Sequence, residues 1–153
     1  MRLVSIDPGL KGYITILKDG YPITFFGMPV IKEGSKMRVD LDALAKFIKD
    51  CKPDWGVVEH VGASPRMGSA SAFSFGYSFA GVRGVLAGAG IGHDTLTPQK
   101  WKVMFGLLNR EKDNARLLVI KEYPELAKHF KLKKHIDKAE SLLIGLAWIR
   151  RNK

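Results

Sequence analysis

Two short apolar runs in this chain each end on a carboxylate, and that pattern restricts the fold more than any other feature. Arg2-Leu-Val-Ser-Ile6 stops at Asp7-Pro8-Gly9, and Trp55-Gly-Val-Val58 stops at Glu59. Short runs rich in β-branched residues and bounded by turn formers read as strands. The second run has no polar residue before Glu59, so it reads as a buried strand with an acid at its C-terminal end.

The rest of the chain can be placed around these two strands. Gly12 to Leu17 is a second β-rich run that closes at Lys18-Asp19-Gly20, so it forms a β-hairpin with the first, and Pro22 to Met28 supplies a third strand. Lys32 to Lys36 reads as a polar surface loop. Behind Asp40, a good N-cap, Leu41, Leu44, Ala45 and Ile48 recur at helical spacing and predict a helix over 41–50, which Pro53 keeps from resuming. Residues 68–90 carry two periods at once. Phe73, Phe75, Tyr77 and Phe79 alternate as in a strand, whereas Ala72, Gly76, Ala80, Gly84 and Gly88 fall four apart. A helix is the better reading, because small residues at i, i+4 let another helix approach and the segment is long for a strand. Ile91 to Thr97 is the last strand, followed by helices over Pro98–Leu107, Glu111–Glu122 and Asp137–Arg150.

The resulting order, βββαβαβαα(α), predicts an α/β fold with a mixed sheet of about five strands flanked by helices. At 153 residues and 46% apolar content, with no repeat, low-complexity tract or linker, residues 1–153 read as one domain. Cys51 is the single cysteine and lacks Cys or His neighbours at zinc-ligand spacing, so neither a disulfide framework nor a zinc knuckle is expected. No apolar run approaches the roughly 20 residues of a membrane span, and the N-terminus enters a strand directly rather than a signal peptide. The expectation is a soluble cytoplasmic protein with no membrane partner. Its 25 Lys and Arg against 15 Asp and Glu give a formal charge of +10, which favours a polyanionic partner.

Against that basic background the carboxylates stand out. Asp137 and Glu140, three residues apart, share one face of the first turn of a helix whose later residues, from Leu142 to Ile149, are apolar on nearly every side. If the strands ending at Asp7 and Glu59 are parallel neighbours, both acids emerge at the sheet edge where open α/β sheets place their sites, and the four carboxylates converge. Clustered carboxylates need a cation, and a set of hard oxygen ligands selects Mg²⁺ or Mn²⁺. Two such ions per site, about 3.5–4 Å apart, activate water and stabilise the leaving 3′ oxygen at phosphorus, which is nuclease chemistry. Taken singly, each acid has a plainer reading. Asp7 belongs to a turn-forming Asp-Pro-Gly, and Asp137 and Glu140 are ordinary helix N-terminal acids. Glu59 after Val-Val is the hardest to explain in that way.

Five ordered blocks carry a resemblance. They are Ile6-Asp7-Pro8-Gly9, Val58-Glu59, the stretch from Ser74-Phe75-Gly76 through Gly81 and Gly84 to Leu86-Ala87, Thr97-Pro98-Gln99-Lys100-Trp101-Lys102, and Asp137-Lys138-Ala139-Glu140-Ser141-Leu142-Leu143-Ile144. Over nearly its whole length the chain resembles the RuvC-type Holliday junction resolvases of the RNase H-like superfamily, especially the small phage and prophage members. The resemblance implies a Mg²⁺-dependent DNA endonuclease that resolves four-way junctions by symmetric nicking, leaving 5′ phosphate and 3′ hydroxyl ends. It implies Asp7, Glu59, Asp137 and Glu140 as catalytic metal ligands. Two positions depart from the common pattern. Glu140 stands where many cellular members have aspartate, and Asp137 at a position that varies between aspartate and histidine, so His135 is an alternative participant. The family also implies a homodimer, with the ridge from Ala72 to Gly88 as its helix; an internal helix packed on the sheet reads the same sequence equally well.

The expected DNA contacts are basic residues near these blocks: Arg66 in the loop after Glu59, then Lys100, Lys102, Arg110 and Lys112, and finally Lys133 and Lys134 before the acidic turn. In the family, basic residues matching Lys102 and Lys112 lie beside the cleavage site. Trp101 reads as a packing residue rather than a base platform. Two alternatives keep the charge pattern but change the function. One is a branched-DNA-binding module that does not cut. The other is an RNA-processing nuclease of the YqgF-like or RNase H kind.

Overall fold

The computed structural model describes residues 1–153. In chain order its elements are β1 (Arg2–Ile6), β2 (Tyr13–Lys18), β3 (Tyr21–Gly27), β4 (Val30–Glu33), β5 (Lys36–Val39), α1 (Leu41–Cys51), β6 (Trp55–Glu59), α2 (Ser69–Gly88), β7 (His93–Leu96), α3 (Pro98–Met104), α4 (Asp113–Glu122) and α5 (Ile136–Arg151). Five strands form one mixed sheet in the order β3-β2-β1-β6-β7, antiparallel from β3 to β1 and parallel from β1 through β6 to β7. This is the α/β architecture the element order predicts. No helix is long and apolar enough to cross a membrane.

The sheet is covered on both faces, which is why β1 and β6 read as continuous apolar runs. Successive strand residues point to opposite sides. Leu3 and Val57 therefore join Trp101, Phe130 and Leu142 in the core under α3, α4 and α5. Val4, Ile6 and Val58 join Leu44, Ile48, Val82 and Leu86 in the core under α1 and α2. Asp40 caps α1 by accepting the Ala43 N–H at 2.9 Å.

One expectation is wrong. Lys32–Lys36 is not a polar loop but the turn region of a hairpin, β4 paired with β5 from Val30↔Val39 to Glu33↔Lys36, with Gly34 in the left-handed region at φ 59. All four residues of β4 are exposed. A strand with no buried face has no alternation for a sequence to display. The stretch between α4 and α5, to which no element was assigned, contains two 3₁₀ turns at Pro124–His129 and Lys133–His135.

Two features decide where the site lies. α5 is locked to the sheet by buried hydroxyls: Ser5 Oγ donates to the Ser141 carbonyl at 2.7 Å, and Thr15 Oγ1 lies 2.6 Å from Ser141 Oγ. Gly145 seats the helix closely, since a Cβ there would lie 2.7 Å from Leu17 Cδ1. α2 is a helix, as its small-residue spacing predicts, but its ridge is not an internal contact. A Cβ added at Gly76, Gly84 or Gly88 would meet open space.

Candidate metal centre

β1 and β6 are parallel neighbours, with Leu3 opposite Trp55 and Ile6 opposite Val58. The next residue of each strand is an acid, so Asp7 and Glu59 leave the sheet side by side at its C-terminal edge. A tight turn holds Asp7. Its N–H donates to the Tyr13 carbonyl at 3.0 Å, Gly9 N–H donates to Asp7 Oδ1 at 3.3 Å, and Gly12 N–H donates to the Gly9 carbonyl at 2.8 Å. Gly12 is required here by close approach, because a Cβ would overlap the Asp7 carbonyl oxygen and lie 2.8 Å from that of Gly9. Gly12→Ala is therefore expected to cost about 2 kcal/mol or more in urea unfolding, because backbone rather than a flexible side chain must give way.

The docking of α5 brings its first turn over the same edge. One carboxylate oxygen each from Asp7, Asp137 and Glu140 lies within 4.8 Å of the others, a separation that one or more cations can bridge. Glu59 stands on the wall of the same cleft, where its Oε1 accepts the Trp101 indole N–H at 2.8 Å. Of the four acids singled out in the sequence, three thus form one compact group and the fourth is tethered beside it. Trp101 is fully buried, as a packing residue should be, but it also orients Glu59, a role its spacing did not reveal.

Burial pushes the Asp7 carboxyl up to about 7, with the charges of Glu59, Asp137 and Glu140 adding to the effect and the Gly9 N–H opposing it. Burial also raises Glu59; the Trp101 hydrogen bond, Lys102 and Lys112 oppose this, while Glu140 adds to it. Glu140 is raised by burial and by Asp137 against the pull of Lys102 and Lys112. Lys102 Nζ lies 3.6 Å from Glu140 Oε1, which compensates part of the cluster charge. A half-buried group of hard oxygen donors that cannot all stay ionised on their own fits a divalent cation of the Mg²⁺ or Mn²⁺ type.

The group opens into a cleft of about 480 Å³ that also includes Lys112 and, from α2, Ser71, Ser74 and Ser78. Arg110 lies in a small hollow with Lys102, Lys112 and Glu140. Lys102, Arg110 and Lys112 therefore adjoin the Glu140 side of the acid group. Arg66, Lys100, Lys133 and Lys134 do not line the cleft. They are exposed on the loop after β6, on α3 and on the 3₁₀ turn before α5. His135 is also outside it, and its Nδ1 accepts the Leu132 N–H at 3.3 Å. Lys11, in the turn that holds Asp7, does line the cleft and was missed. So was the serine face of α2, although spacings of three and four residues from Ser71 to Ser78 place all three hydroxyls on one side of a helix.

No protein-family model and no curated protein matches the sequence. Among solved structures, the chain is similar to T. thermophilus RuvC in complex with Holliday junction substrate, at 18% identity and TM-score 0.64, covering 100% of this chain and 97% of that one. It is also similar to a Thermus thermophilus RuvC structure, at 16% identity and TM-score 0.58, covering 99% and 97%. At these identities the likeness is one of fold: the chain has the RuvC-like, RNase H-like α/β fold, a five-stranded mixed sheet between helices.

Proposed function

We propose that this chain is a single-domain, metal-dependent endonuclease that resolves four-way DNA junctions by symmetric nicking as a homodimer. One observation carries the reading: the Asp7, Asp137 and Glu140 oxygens within 4.8 Å of one another, at the strand edge where Glu59 also emerges. The fold supports it, since a similarly folded protein has been solved with a Holliday junction bound. Its place of action is then the cytoplasm of a bacterial or phage-infected cell.

In this reading Asp7, Glu59, Asp137 and Glu140 hold two Mg²⁺ ions, for which Mn²⁺ can substitute. Bound there, the ions supply the charge that activates water and stabilises the leaving 3′ oxygen. The chain's own groups do the rest. Trp101 fixes the Glu59 carboxylate, while Lys102, Arg110 and Lys112 receive phosphate oxygens around the scissile bond. Arg66, Lys100, Lys133 and Lys134, further out, hold the duplex arms. The open ridge of α2, Gly76, Gly84 and Gly88, offers a close-packing surface for a second copy, which a junction with two symmetric strands requires.

The test is a digest of a synthetic four-way junction, a splayed fork, a flap, an RNA–DNA hybrid and structured RNA, each with Mg²⁺ and with Mn²⁺. The expected result is paired nicks at symmetric positions in the junction, with 5′ phosphate and 3′ hydroxyl ends. Tight junction binding without nicking under either metal would leave a binding module, and preference for the hybrid or the RNA would move the substrate to RNA.

Trp101→Phe removes the donor to Glu59 but keeps most of the buried ring. It is expected to weaken Mg²⁺ affinity about tenfold, as loss of a group that orients a ligand does. It should also displace the acid limb of the pH–rate profile upward, because Glu59 loses a bond that favours its ionised form. Calorimetric Mg²⁺ titration and the pH profile read the two effects separately.

A further inference from the structure

The β4–β5 hairpin has no part in the chemistry above, yet it adjoins the site. Lys36, Met37 and Arg38 of β5 and Ala70, Ser71 and Ser74 of α2 line a shallow groove of about 270 Å³. Ser71 and Ser74 also line the carboxylate cleft, so groove and cleft are continuous. The two cations in the groove are uncompensated, since neither Lys36 nor Arg38 is in an ion pair. Arg38 is also held in place. Its guanidinium carbon lies 5.5 Å from the ring centroid of Phe73 and 5.3 Å from that of Tyr77. A stacked guanidinium loses less freedom on binding an oxyanion, and its outward N–H groups remain available. Hydroxyls, a stacked guanidinium and an exposed ammonium in line with the proposed phosphodiester cleft match a sugar–phosphate backbone.

We propose that the hairpin and the first turns of α2 form a second strand-binding subsite, in which Lys36 and Arg38 hold backbone phosphates of the DNA arm leaving the cleft. This subsite rests on the nuclease reading above. It lies on the α1–α2 side of the sheet, whereas Lys102 and Lys112 approach the acids from the α3–α5 side. The two basic groups thus grip the strand on either side of the scissile phosphate, and the hairpin sets the length of arm the protein engages.

The test is fluorescence anisotropy of a labelled four-way junction in Ca²⁺, which suppresses cutting, over a range of salt concentrations. Lys36→Glu with Arg38→Glu is compared with Lys18→Glu with Lys49→Glu, which makes the same charge change at the opposite edge of the sheet. The hairpin pair is expected to weaken binding on the order of tenfold or more and to lower the slope of log K against log salt by about two, and the control pair to do neither. Lys36→Ala alone, at an exposed position that cannot unfold the chain, is expected to lower the slope by about one. A hairpin pair that binds like its control, while the wild type binds and cuts, overturns the subsite and leaves the nuclease reading intact. A wild type that binds no branched DNA removes both. A hairpin pair that changes the mass of the protein in solution, with an unchanged salt slope, assigns the surface to self-association and overturns the subsite.

Discussion

Asp7→Asn is expected to lower the rate of junction cleavage by about 10³-fold or more, with junction affinity within about threefold of wild type. The substitution is nearly isosteric. An asparagine Oδ1 can still accept the Gly9 N–H, so the turn that includes Gly12 is retained. What is lost is one of the three carboxylates whose oxygens lie within 4.8 Å of one another, and with it, on the proposed reading, charge that would pair a divalent cation to the cleft. A 10³-fold loss corresponds to about 4 kcal/mol at the transition state, a reasonable share for a charged metal ligand in a partly desolvated site. On the same reading binding has a different origin, in lysines and arginines placed to contact phosphates, and removing a nearby negative charge is not expected to weaken it. Single-turnover cleavage and anisotropy in Ca²⁺ measure the two quantities. Equal cleavage by both proteins would take Asp7 out of the mechanism.

The second large effect is on stability without metal. In the unfolded chain Asp7 titrates near 3.8, and in the folded protein burial and its acidic neighbours hold it at about 7. The folded state therefore keeps its proton longer. The stability contributed by the neutral form is fully present below about pH 4 and is lost as the pH rises through about 7. Glu59 and Glu140, raised by the same burial, act in the same direction. The thermal midpoint of the metal-free protein should accordingly fall between pH 5 and pH 8. Asp7→Asn, which has no charge to bury, should flatten this dependence and be more stable than wild type at pH 8 by about 2 kcal/mol, or roughly 5 °C. Adding Mg²⁺ at pH 8 should raise the wild-type midpoint and leave that of the variant nearly unchanged. Differential scanning fluorimetry across pH, with EDTA and with Mg²⁺, tests all three statements. A wild-type midpoint that rises from pH 5 to pH 8 in EDTA would show that these acids are not destabilised by their surroundings.

The features legible in the sequence were those with a local signature. The apolar runs before Asp7 and Glu59 are strands buried on both faces, and the i, i+4 small residues of α2 mark a helix against the competing alternation of its aromatics. The three-residue spacing of Asp137 and Glu140 places both on one helical turn wherever that helix lies. The β4–β5 hairpin had no such signature. All four residues of β4 are exposed and β5 buries only Val39 at its end, so no alternating buried face imposed a period on them.

The sequence alone thus determined the types of the elements that bury a face, and the positions of acids at strand and helix ends, because helix and strand periods are set by backbone geometry within a few residues. Only the tertiary structure decided which of these residues meet. The parallel pairing of β1 with β6 joins segments about fifty residues apart, the Trp101–Glu59 bond spans 42 residues, and the Ser5–Ser141 bond that fixes the height of α5 spans 136. The same is true of the basic residues. Lys102, Arg110 and Lys112 adjoin the acids while Arg66, Lys100, Lys133 and Lys134 do not, although all seven are similar as cations in the chain. Such contacts depend on how distant segments fill a common core, and no local period encodes that.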